Sequence, residues 1–212
     1  MSQLKRKIVC SVTAIIGIVT GGALYSTADI TPPNEAPQMV AQVSASDYPP
    51  PIGEVVIHGE KVGVLFVSQR ALEVIGNAEG CRRTPYKCPA GLLTDGIGNT
   101  HGEIGKPKTN EQIAKDWVLN IIDAQHCLAS VTPIETLAQG QRDAFVSFIF
   151  NTGCTRFKRN RDRSSTRIAA YIKAGHYVNA CHELKYWRKG GGVVLAGLVT
   201  RRRTETNMCL AV

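Results

Sequence analysis

The sequence has no internal repeat, no Cys and His spacing suited to a four-ligand zinc site, and no phosphate-cradling loop. Gly96-Ile97-Gly98 approaches a dinucleotide motif, but the remaining glycine spacing fails and no β-α-β unit surrounds it, so that class is excluded and no cofactor is implied. Acids are scarce: 17 Asp and Glu stand against 25 Lys and Arg, the net charge is +8, and none precedes Asp29. A good membrane spanner is also missing. Ile8 to Tyr25 is uncharged and about the minimum length for a bilayer, but Ser11, Thr13, Gly17, Thr20, Gly21 and Gly22 weaken it.

What is present begins with seven cysteines in 212 residues, many for a cytosolic protein, which favours an oxidising compartment and leaves one sulfur over. With 43% hydrophobic residues the chain can build one ordinary core and a smaller lobe beside it. Lys5, Arg6 and Lys7 ahead of the apolar run hold that end in the cytosol and send the rest across. Residues 1–28 therefore read as a cleaved signal peptide, with Ser26-Thr27-Ala28 as the small-residue site, or as a permanent anchor. Ile30 to Pro51 is proline-rich and aperiodic, an extended linker, and Glu54 to Val67 allows a small hairpin. Residues 29–67 carry a net −4, so the globular part, residues 68–212, is strongly basic. The pI of about 9.2 and the cations between Arg156 and Arg203 suggest nucleic acid, but an export segment argues against that partner.

Within the globular part, Ser68 is placed to cap a helix with Ala71, Leu72, Val74 and Ile75 on its apolar face, stopping near Gly80. The stretch from Glu79 to His101, EGCRRTPYKCPAGLLTDGIGNTH, is too rich in Gly and Pro for a helix and reads as a hairpin turning at Pro89-Ala90-Gly91. A carboxylate at a helix lip then faces a polar hairpin with Cys88 on one arm and Thr94 on the other, the makings of a cleft. Further on, Thr109 and Gln112 form a capping box for a helix running toward Pro133. A second helix over about Ala138 to Asn151 ends at Gly153, and Arg156 to Arg163 is a basic connection. Ser164 or Ser165 caps Thr166 to Lys173, and helices over His176 to Tyr186 and Leu195 to Met208 flank Gly190-Gly191-Gly192.

Glu79, Cys88 and Thr94, with the following Thr94-Asp95-Gly96-Ile97-Gly98, resemble the catalytic triad and hairpin motif of the phage lysozymes of glycoside hydrolase family 24. Within that family, EGC, PYKCPAG and TDGIGNTHG are most similar to endolysins that carry Cys in place of Asp and are controlled by disulfide exchange. The resemblance implies an α+β fold, a mostly helical lysozyme-like domain with a small β-hairpin lobe, preceded by an N-terminal transmembrane helix of the signal-arrest-release kind. It implies a monomeric muramidase cleaving the β-1,4 bond between N-acetylmuramic acid and N-acetylglucosamine in peptidoglycan. The enzyme is carried by the host export machinery, tethered in the host inner membrane and then released into the periplasm. A tethered, non-catalytic peptidoglycan-binding protein is the competing reading.

Hydrolysis of a glycosidic bond needs a proton donor and a group that orients water on the opposite ring face. Glu79 is the candidate donor, which requires a partly desolvated pocket, and Cys88 and Thr94 would hold the water in a geometry suited to inversion. Arg82, Arg83 and Lys87 favour a thiolate at Cys88. Gly98, Asn99 and His101 on the hairpin, with Phe148 and Asn151 behind, are candidate glycan contacts. Cys127, Cys154, Cys181 and Cys209 can form two bridges in three ways, of which Cys127 with Cys154 and Cys181 with Cys209 is preferred. Of the remainder, a Cys81 to Cys88 bridge blocks the catalytic sulfur, whereas a Cys10 to Cys81 bridge frees it, and Cys10 reaches Cys81 only after leaving the membrane.

Overall fold

A helix, α2 (Gln69–Glu79), carries Glu79 as its last residue. Ala71, Leu72 and Ile75 are buried along one face, and Gly80 stops the helix by entering the left-handed region at φ 69°. Ser68 occupies the capping position, yet its side chain makes no cap bond. Its hydroxyl donates instead to Asp143, whose other oxygen accepts from the Ser68 amide at 2.8 Å. The structure is a computed structural model describing residues 10–22, 48–87, 91, 93–102 and 105–211.

Ahead of α2, β1 (Pro51–Ile57) and β2 (Glu60–Ser68) form an antiparallel hairpin turning at His58-Gly59. It starts at Pro51, where the sequence suggested linker, because a strand's first position tolerates a residue without an amide proton. Val55, Ile57, Leu65 and Val67 turn inward by strand alternation. The hairpin lies against α3 (Asn110–Ala129), close enough that a β-carbon on Gly63 would strike Ile122. The Thr109 hydroxyl and the Gln112 amide side chain close the capping box that starts α3.

The hairpin beyond α2 consists of β3 (Arg82–Lys87) and β4 (Leu93–Gly96). Cys88, Pro89 and Ala90, and with them most of the turn expected at Pro89-Ala90-Gly91, lie outside the described residues. The helical lobe holds α4 (Gln139–Thr152), α5 (Cys154–Lys158), α6 (Arg167–Lys173), α7 (Tyr177–Glu183) and α8 (Ala196–Leu210). Thr166, rather than Ser164 or Ser165, caps α6, its oxygen accepting from the Ala169 amide. The basic connection begins inside the short helix α5, and a 3-10 turn over Leu184–Tyr186 extends α7. Gly191 and Gly192 form the bend of a two-residue hairpin, β5 (Lys189–Gly190) with β6 (Val193–Val194). At the α4–α8 contact a β-carbon on Gly140 would stand 2.2 Å from the Met208 carbonyl, so only glycine lets the helices come this close. Bridges join Cys127 to Cys154 and Cys181 to Cys209.

The described part of the N-terminal segment, residues 10–22, does not form the expected transmembrane helix. It holds α1 (Val12–Val19), eight residues or about 12 Å of helix. Among the described residues no helix is long and apolar enough to cross a membrane. Ile15, Ile16 and Val19 are buried against α2, α3 and β1. Val12 rests where a β-carbon on Gly76 would be, and a Cys10–Cys81 bridge fixes the segment to the start of the β3–β4 hairpin. The apolar face that would have met lipid meets the domain instead.

Candidate active site

Glu79 sits where α2, the β3–β4 hairpin and α8 meet. One oxygen, Oε1, accepts from Arg201 Nη1 at 2.6 Å. The other faces Gly98, where a β-carbon would stand 3.2 Å from Oε2. Gly98 has φ +67°, a conformation that favours glycine, and a β-carbon there would also crowd Oε2. The side chain of Glu79 remains about one-fifth exposed. Arg201 thus occupies Oε1, and Oε2 is the oxygen turned toward the hairpin.

Arg201 is itself held from behind. Its Nε donates to Glu205 Oε1 at 3.1 Å and its Nη2 to the Ser147 carbonyl at 3.1 Å, while Ser147 Oγ donates to the same Glu205 oxygen at 2.7 Å. Arg202 pairs with Glu205 Oε2 at 2.7 Å, lies over the Phe148 ring at 4.8 Å, and donates to Asn151 Oδ1 at 2.5 Å. Burial pushes the Arg202 guanidinium down to about 10, against the pull of Glu205. Glu79 and Glu205 against Arg201 and Arg202 make a cluster with no net formal charge, which lowers the cost of burying it.

The hairpin wall has its own buried network. Asp95 is fully buried and meets Lys108 Nζ at 3.0 and 3.1 Å, and Lys108 also pairs with Asp116 at 2.5 Å. Burial pulls the Lys108 ammonium down, but hydrogen bonds to Asp116 and Asp95 more than offset this and leave it above its usual 10.5. Asn99 and Asp95 exchange backbone bonds at 2.9 Å, and Asn99 Nδ2 donates to Asp95 Oδ1 at 2.8 Å. Asn99 Oδ1 accepts from Asn120 Nδ2 at 3.1 Å. Thr94 is buried on β4 opposite Tyr86.

Two cavities flank Glu79. On the hairpin side, Gly98 and His101 face Asn120, Asp123 and Phe150 around about 310 Å³. On the other, α2 and the start of α8 enclose about 890 Å³, with Glu79, Asn151 and Arg201 on its wall. Gly98, His101 and Asn151 thus line open space. Asn99 is buried and its polar atoms are spent within the hairpin and on Asn120 of α3, and Phe148 is buried edge-on to Phe157 and Trp187, so neither side chain reaches the cleft surface. Arg201, Arg202, Glu205 and Ser147 were not singled out from the sequence. The usable signal is the spacing of Arg201 and Arg202 from Glu205, i,i+4 and i,i+3, which places them on one face of α8. Among the described residues no group of three or more His, Cys, Asp or Glu is placed to hold a metal ion.

The sequence and the fold resemble those of known proteins. A family model described as phage lysozyme matches residues 76–205. The SAR-endolysin of Escherichia phage P1 is 43% identical over 154 residues, 70% of this chain and 83% of that protein. The SAR-endolysin of Haemophilus phage HP1 is 40% identical over 151 residues, 68% and 81% of the two chains. The crystal structure of the active form of the P1 phage endolysin Lyz superimposes with a TM-score of 0.68 at 33% identity, over 95% of this chain and 94% of that one. A helix-borne glutamate beside a glycine-rich hairpin, the matched family model and these relatives agree, and the chain belongs to the phage lysozyme family.

Proposed function

We propose that the protein is an endolysin, a muramidase that hydrolyses the β-1,4 bond between N-acetylmuramic acid and N-acetylglucosamine. The observation that carries this is the division of labour on Glu79: Arg201 holds Oε1, and Oε2 is left against Gly98 at the edge of open space. Oε2 protonates the leaving glycosidic oxygen. Thr94 and Cys88 hold a water on the opposite ring face, which attacks the anomeric carbon and inverts it. Gly98, His101 and Asn151 line the glycan path. The named relatives are endolysins, which supports peptidoglycan as the substrate.

In this reading the enzyme acts as a monomer in the host periplasm. The host export machinery first inserts residues 8–25 in the inner membrane, where Cys81 bridges Cys88 and the enzyme is silent. After release, Cys10 takes Cys81, and Cys88 regains its thiol. The observed Cys10–Cys81 bridge and the docking of α1 on the domain fit the released state. Zymography on wall-embedded gels tests the enzymatic reading: wild type clears a zone and Glu79→Gln does not. A wild type that binds the embedded wall without clearing it would leave a non-catalytic peptidoglycan binder.

A further inference from the structure

The basic connection takes no part in the cleft. From Arg156 to Arg163 it carries five cations and a single acid, Asp162, whose Oδ1 accepts from the Ser164 amide at 3.0 Å and its hydroxyl at 2.6 Å. Lys158 ends α5, Arg159 caps it and Lys173 ends α6. These three cations line one cavity of about 380 Å³, together with Ser130 and Ser165, and among the described residues no carboxylate lines it. None of the ion pairs among the described residues involves Lys158, Arg159 or Lys173. The backbone that carries them is firmly held. The Thr166 amide donates to the Lys158 carbonyl at 3.1 Å and the Asn160 amide to the Ser164 carbonyl at 2.9 Å, on either side of a bridge between Arg159 and Ser165. Phe157, next to Lys158, is fully buried against Phe148, and the Cys127–Cys154 bridge fixes α5 to the last turn of α3, close in sequence to Ser130. Arg159 Nη1 donates to the Arg163 carbonyl at 3.0 Å, which uses one of the five guanidinium donors.

Three cations held around one concavity repel one another, and an anion seated among them turns that repulsion into attraction. A carboxylate offers two oxygens in one plane and one charge. A phosphate offers oxygens in several directions and up to two charges, which suits one guanidinium fork and two ammonium groups reaching in from separate helix ends. The cations surround a single cavity rather than a groove, which suits one phosphate better than the evenly spaced phosphates of a nucleic acid. We propose that this cavity is a binding site for one phosphate group, free or on the headgroup of a lipid, held by Lys158, Arg159 and Lys173. None of these residues belongs to the catalytic machinery, so binding there is independent of the muramidase reading.

Two titrations of the full-length protein test this at constant ionic strength. Amide chemical shifts followed with inorganic phosphate and with glycerol 3-phosphate read the free source. Co-sedimentation with phosphatidylglycerol vesicles reads the lipid source, after subtraction of binding to phosphatidylcholine vesicles, which reports insertion of the apolar N-terminal residues alone. Saturable shifts at Arg159, Ser165 and Lys173, or an excess on phosphatidylglycerol, are expected, and the arm that responds identifies the source. Lys158→Gln and Lys173→Gln should each weaken the response about five-fold, as expected for one charge contact, and the double variant more than either. Arg188→Gln with Lys189→Gln removes the same charge from exposed positions at β5 and should change the response less than about two-fold. No response in either arm, a response unaltered by the double variant, or one reduced equally by the Arg188 and Lys189 control would overturn the proposal.

Discussion

Arg201 and Glu79 are 122 residues apart in the chain and 2.6 Å apart in the fold. The contact gives Glu79 one oxygen bound to a cation and one facing the hairpin, and it ties α8 to the lip of α2. Arg201→Ala removes the guanidinium but leaves Glu205 buried without that counter-charge. A stability loss of about 3 kcal/mol is expected by chemical denaturation, together with a fall in kcat larger than any rise in KM, because Glu79 is no longer oriented.

Glu205 shares the Arg201 charge that would otherwise fall wholly on Glu79. In Glu205→Gln the Arg201 guanidinium loses the carboxylate that fixes its Nε, so Glu79 is less firmly oriented and kcat should fall about ten-fold with little change in KM, measured by turbidity clearing. A Glu205 that merely packs would lower stability and leave kcat in place.

Gly98 allows no side chain without crowding Glu79 Oε2 and straining a left-handed backbone. Gly98→Ala should therefore cost about 1 kcal/mol or more in stability and lower kcat at least ten-fold. Thermal unfolding and turbidity clearing on the same preparation separate the two effects.

The Lys108 ammonium gives a pH dependence with a defined sign. Its pKa is raised in the folded state, so its contribution is fully present below the unfolded value of 10.5 and is lost as pH rises through the folded value. Lys108→Met should lower stability by about 3 kcal/mol at pH 7, since Asp95 loses its cation, and the gap to wild type should close above pH 10.5. Urea unfolding at pH 7 and pH 11 measures it.

Much of this arrangement was legible in the sequence. The apolar spacing before Gly80, the Thr109–Gln112 box and the Gly and Pro density after Glu79 are local signals, and the local structure follows them. What escaped is non-local. Ser68 looks like an ordinary cap, but Asp143, 75 residues on, takes its hydroxyl. Arg201 and Arg202 look like part of a solvated basic face until Glu205 and Ser147 are seen around them. Asn99 stands in the motif as though turned toward substrate, yet buried Asp95 claims its amide. The apolar character of Val12–Val19 suits a bilayer and a domain groove equally, and only the bare Gly76 face and the Cys10–Cys81 bridge tell which one holds it here.

The most direct test of the central claim, that Glu79 donates the proton in cleavage next to muramic acid, is mass analysis of the soluble products from purified peptidoglycan. Wild type is predicted to release fragments with reducing N-acetylmuramic acid ends, and a folded Glu79→Gln protein to release at least a hundred-fold fewer. Fragments ending in reducing N-acetylglucosamine or in anhydro sugars, or equal release by Glu79→Gln, would contradict it.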